Sequence, residues 1–102
     1  MRIVDSSGMV YSTLTPLPGS SQVCIFHDTF VHLNYRRQGL GTKAHQERLN
    51  TARQLGYNYA ICTVDKNNLP QTDILNSFYW KELSNFLSTK TGHQVALFGK
   101  TL

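Results

Sequence analysis

Residues 35–49 read YRRQGLGTKAHQERL. Arg36 and Arg37 precede two glycines, Gly39 and Gly41, and a helix-forming run follows. Glycines at a helix N-terminus let backbone amides approach a ligand without an intervening Cβ. Such amides, at the positive end of the helix dipole, bind phosphate well. The stretch therefore reads as an anion-binding turn, and the rest of the chain decides which kind.

Upstream, residues 23–33, VCIFHDTFVHL, are apolar, β-branched and aromatic, which predicts a strand. Downstream, the spacing predicts a helix over 42–55. Ala44, His45, Leu49, Ala52 and Leu55 share one face, and Arg48 intrudes on it. Gly56 stands where a left-handed C-terminal cap belongs. Residues 57–64, YNYAICTV, predict the next strand. This strand, turn, helix, strand order is a βαβ unit, which requires a parallel pair.

Farther out, GMVYSTL predicts a strand and TPLPGSS a turn. Asn68 is placed to cap a second helix, with Pro70 in its first turn. That helix is expected to continue through Leu75, Tyr79 and Leu83, spaced by four, beside Ile74 and Phe78. HQVALFGKTL predicts a last strand. The fold class is α/β, or α+β with a mixed sheet, built on the central βαβ unit.

Length and composition set the outer bounds. The chain has 102 residues, 40% of them hydrophobic, enough for one small domain with a modest core. No apolar run reaches the roughly 18 residues of a membrane span, and no signal peptide is visible. Cys24 and Cys62 fall in predicted strands, read as free buried thiols in a reducing, cytoplasmic setting. His and Cys are too scattered for a metal site. The net charge of +4 favours an anionic partner, with Arg36, Arg37, Lys43, Arg48 and Arg53 falling within 18 residues.

Three phosphate-binding designs compete. The P-loop fails because Thr42-Lys43 is in the wrong order and no glycine stands five residues before Gly41. The dinucleotide fingerprint GxGxx[GA] does match Gly39 to Ala44, and Asp65 ends the next strand. However, polar residues 34–38 separate the first glycine from the apolar strand, where that design wants it adjacent. The third, [QR]xxGx[GA], takes Arg36, Gly39 and Gly41.

In this third form the chain resembles the Gcn5-related N-acetyltransferase (GNAT) family. VHLNYRRQGLGT is similar to that family's fourth-strand exit, acetyl-CoA loop and third-helix start. ARQLGYNYAICTV resembles its third-helix end and fifth strand, FYWKELSNF its fourth-helix end, and HQVALFGKTL its closing strand. The resemblance implies a single N-acetyltransferase domain over 1–102, with a reduced N-terminal strand and loop at 1–22 and an acetyl-CoA-binding core at 23–102. It implies acetyl-CoA as co-substrate, held by Val31, His32, Leu33, Arg36, Arg37, Gln38, Gly39, Leu40, Gly41 and Thr42, with Asn67 and Asn68 on the pantetheine.

Transfer of an acetyl group to an amine needs a base, an oxyanion site and a proton for the leaving thiolate. Of six carboxylates, Asp28 alone lies in the strand leading to the loop. The base is Asp28, His27 or neither, with a water chain as the third option. Strand alternation puts Asp28 and His27 on opposite faces. Tyr79 matches the family's usual tyrosine, which the resemblance makes the candidate general acid; the alternative is a core aromatic on the helix stripe with Leu75 and Leu83. Trp80, His45 and His93 are read as packing or surface residues. The acceptor amine is not specified by the sequence. A membrane is not expected as a partner, nor a nucleic acid, while a homodimer would complete the reduced acceptor side. The alternative is a non-catalytic acyl-CoA-binding or protein-interaction module of the same fold.

Overall fold

A computed structural model describes residues 1–4, 8, 10–31 and 39–102, Val31 through its backbone alone. The expected residues His32, Leu33, Arg36, Arg37 and Gln38 lie outside the described residues. Six strands and two helices follow in the order β1 (Arg2–Val4), β2 (Val10–Pro16), β3 (Val23–Val31), α1 (Leu40–Gln54), β4 (Tyr59–Asp65), α2 (Leu69–Ser77), β5 (Lys81–Leu87) and β6 (Gln94–Thr101). They form one mixed sheet of order β1-β2-β3-β4-β6-β5. The pair β3–β4 is parallel, as the βαβ reading requires, and every other pair is antiparallel.

Alternation decides which side of the sheet is covered. Leu14, Cys24, Phe26, Ala60, Cys62, Val64, Ala96 and Phe98 point to one face and are buried there. Helix α1 lays Ala44, His45, Leu49 and Ala52 on that face, and Leu75 of α2 and Trp80 close the core. Leu55, expected on the same stripe, is half exposed because it caps α1 instead of continuing it.

Both helices end in the same hydrogen-bond pattern. At α1, Gly56 is left-handed (φ 87°); its N–H donates to Arg53 O, and Tyr57 N–H donates to Ala52 O. At α2, Tyr79 N–H donates to Asn76 O and Trp80 N–H to Leu75 O. These are paired Schellman caps. The second, however, has Tyr79 at φ 64° where glycine would be unstrained.

That cap corrects the expected helix through Leu83. Spacing by four continues past Ser77, but the left-handed backbone at Tyr79 turns the chain, and residues 81–87 pair antiparallel with β6. Neither glycine nor proline marks the break, so the i, i+4 pattern alone misled. Asn68 caps α2 as expected, its side chain accepting from Gln71 N–H at 3.3 Å. The short strand β1 was not foreseen.

Candidate active site

Strands β3 and β4 share only three paired positions, Val23–Ile25 against Tyr59–Ile61. Beyond Ile25 and Ile61 they diverge. The opening is a cavity of about 240 Å³, lined by Phe26, His27, Asp28 and Thr29 of β3, Cys62, Thr63 and Val64 of β4, Arg48 of α1, and Asn68 and Gln71 of α2. It lies toward the carboxyl ends of two parallel strands, where open α/β sheets place ligands.

A bulge shapes the β3 wall. Tyr11 pairs with Phe30 and Thr13 with His27, so Ser12 faces two residues, Asp28 and Thr29. Asp28 takes up the extra length at φ 53°. This overturns the expected alternation: instead of pointing to opposite faces, His27 Nδ1 donates to Asp28 Oδ2 at 2.8 Å. With that nitrogen protonated, His27 Nε2 is left as the acceptor, 3.3 Å from the Thr15 hydroxyl. The imidazole is thus held between a carboxylate and a hydroxyl.

Arg48 braces the bulge from below. Its Nη1 donates to Thr13 O at 3.1 Å and to His27 O at 3.2 Å, and the guanidinium lies over Phe26, 4.4 Å from the ring centre. Sequence reasoning treated this residue as an intruder on a helix face. A charge on an otherwise apolar stripe was the signal that could have found it.

Beside the cavity, His45 and Trp80 form a buried pair, Trp80 Nε1 donating to His45 Nε2 at 2.9 Å. Burial, then the nearby Arg48 charge, lower the His45 pKa to about 3, so the ring is neutral and its proton sits on Nδ1. Cys24 and Cys62 are free and buried, and burial pushes their thiols up to about 11 and about 12. Neither is a thiolate nucleophile at neutral pH. No cluster among the described residues could hold a metal.

The other expected site residues divide. Helix α1 starts at Leu40 with Gly39 left-handed (φ 74°), no side-chain cap and no acid in its first turn. No acidic side chain of that first turn competes for its leading amides. A Cβ on Gly39 would meet nothing, whereas one on Gly41 would sit 3.4 Å from Ile74 Cδ1. Asn68 lines the cavity, while Asn67 donates its N–H to Asp65 Oδ1 at 2.8 Å. Tyr79 is 88% exposed and is not among the cavity's lining residues. His93 is tied to Asp65, Nδ1 to Oδ2 at 2.7 Å.

A sheet splayed beside a glycine-led helix N-terminus defines an acyltransferase-type fold, and comparison with known proteins agrees. The model of the "Acetyltransferase (GNAT) family" matches residues 8–78, and the chain belongs to that family. No curated protein matches it. A GNAT-family protein from Desulfovibrio desulfuricans superposes with a TM-score of 0.83 at 13% identity, over 97% of this chain and 64% of that one. The ribosomal-protein-S18-alanine N-acetyltransferase from Escherichia coli gives 0.78 at 13%, over 91% and 61%. A GNAT family acetyltransferase from Elizabethkingia anophelis with acetyl-CoA bound gives 0.75 at 10%, over 92% and 69%. The chain spans less than two thirds of the first two structures' length, and at these identities the likeness concerns the fold. Among the described residues no helix is long and apolar enough to cross a membrane.

Proposed function

We propose that this chain transfers an acetyl group from acetyl-CoA to an amine. Family membership supports acyl transfer as the class of chemistry. The observation that carries the reading is the gap between β3 and β4 beside the uncapped start of α1. Amides of Gly39 to Thr42, with Arg36, Arg37 and Gln38, would take the diphosphate. Backbone groups of Val31, His32 and Leu33 would take the thioester arm, and Asn67 and Asn68 the pantetheine.

The amine nitrogen attacks the thioester carbonyl carbon. A C–N bond forms, the C–S bond breaks, the amine proton passes to a base, and the departing thiolate takes a proton. His27 is assigned as the base and Asp28 as the carboxylate that orients it. Tyr79 is assigned as the acid. A bulky aromatic held at φ 64° on the surface is costly, and such outliers persist where a position has work to do. The setting consistent with this reading is cytoplasmic, and a second copy would supply acceptor-side wall.

The test is thermal unfolding with acetyl-CoA, followed by release of free thiol in the presence of an amine panel. At a hundredfold excess over Kd, binding stabilises by about 2.7 kcal/mol. No shift at millimolar acetyl-CoA overturns the reading. The position of Tyr79 off the cavity wall favours a second reading, acyl-CoA binding without catalysis. A thermal shift with no thiol release from any amine would select it.

A further inference from the structure

We propose that the cleft between β3 and β4 takes a small molecule bearing a carboxylate, and that Arg48 receives it. The guanidinium is 2% exposed yet lines the cavity. Nη1 makes both of its hydrogen bonds, each to a neutral carbonyl, and Nε is buried without a partner. The ion pairs among the described residues join His27 to Asp28, Lys66 to Glu82 and His93 to Asp65; none includes Arg48. Burial lowers the Arg48 pKa only to about 10, so the group is charged at neutral pH.

An arginine carries five N–H donors in a planar fork matched to a carboxylate. A buried charge without a counter-charge is destabilising, and an apolar side chain of similar volume usually serves stability better. Two carbonyl bonds at the bulge account for one nitrogen of the three. Among the described residues the guanidinium stacks on Phe26 but pairs with no carboxylate, and it lines a cavity sized for a small ligand.

Position separates this site from the diphosphate turn. Arg48 follows Leu40 by eight residues, about 12 Å along the helix at about 1.5 Å per residue. It lies beneath the bulge that carries His27, donating to the His27 and Thr13 carbonyls. Among the described residues Asp28 is the one carboxylate of the cavity wall, and His27 already engages it at 2.8 Å. An incoming carboxylate thus meets Arg48 while an amine meets the His27–Asp28 pair. Thr29, Thr63 and Gln71 supply further polar lining.

The carboxylate can come from either partner in the reaction: an acyl chain ending in one, as in a succinyl thioester, or an amino-acid acceptor. The thioester arm rests on the acyl-CoA reading above. In calorimetric titration of the full chain, succinyl-CoA is expected to bind at least tenfold more tightly than acetyl-CoA, or, with CoA present, an amino acid tenfold more tightly than its decarboxylated amine. The first result identifies the acyl group as the source, the second the acceptor. In Arg48→Met either preference disappears, and in Arg48→Lys part of it survives. The contrast lies in the ligands, so wild-type protein decides even where a variant folds poorly. If CoA binds and the carboxylate brings no gain in either arm, Arg48 is a brace for the bulge and the proposal fails. If CoA does not bind, the acyl-CoA reading fails separately, and NMR titration with glutarate against glutaramide decides this one. Equal shifts from the two overturn it, as does inorganic phosphate competing as well as glutarate.

Discussion

Asp28 Oδ2 lies 2.8 Å from His27 Nδ1 although the two residues are consecutive in one strand. Regular pleating would hold their side chains on opposite faces. The bulge opposite Ser12, with Asp28 at φ 53°, turns both toward one cleft. The local backbone brings the pair together, and Arg48, donating to His27 O, and Thr15, beside His27 Nε2, hold it there.

Asp28→Asn is expected to keep the bulge, because asparagine tolerates the left-handed region, and to change stability by less than about 0.5 kcal/mol. Turnover should fall, by about 10²-fold if His27 is a general base. Asp28→Val is expected to lose about 1–3 kcal/mol in denaturant unfolding, because a β-branched residue is strained there. Equal stability of the two variants would contradict the bulge.

Tyr79 separates cap strain from chemistry. Tyr79→Gly is expected to raise stability by about 1 kcal/mol by relieving the left-handed cap, and to abolish turnover. Tyr79→Phe should leave the melting temperature unchanged and slow turnover more than it weakens acetyl-CoA binding. Full activity in Tyr79→Phe would remove the hydroxyl from the mechanism.

His45 sets an acid limit. Its folded-state pKa, about 3, is below the unfolded value of about 6.5. Between these values the unfolded chain binds a proton that the folded chain excludes, so stability falls as pH drops below about 6.5. The slope contributed approaches 1.4 kcal/mol per pH unit, at ~298 K. His45→Gln, which still offers Trp80 Nε1 an acceptor, is expected to flatten that acid branch in urea titrations at pH 4 to 7.

Gly99→Ala tests the outer sheet face. A Cβ there would collide with the Tyr59 hydroxyl and fall 2.8 Å from Leu83 Cδ1. Destabilisation of about 1–3 kcal/mol is expected by chemical denaturation. Gly99→Ala combined with Tyr59→Ala should recover part of it, since the closest obstacle is then gone.

The legible parts of this fold were those with their own punctuation. Gly56 and Asn68 announced the end of α1 and the start of α2, and the parallel pair followed from the strand, helix, strand order. The stop at Ser77 was illegible because a tyrosine does a glycine's work there, and β5 became a strand through pairing with β6. His27, Asp28 and Asn68 were found as candidates, yet their geometry was hidden, since a bulge leaves no periodic mark. Arg48 was visible as an anomaly without a meaning until the cleft appeared beside it. Leu33 to Gln38 carried much of the family signal and lie outside the described residues.

The three-position seam between β3 and β4 makes this sheet two antiparallel ribbons stapled at one end. A molecule wedged into the open end would touch both ribbons and so act as a clasp for the whole scaffold. Amide exchange in Tyr59–Ile61 should therefore slow on ligand binding, even though those residues sit at the stapled end, away from the chemistry.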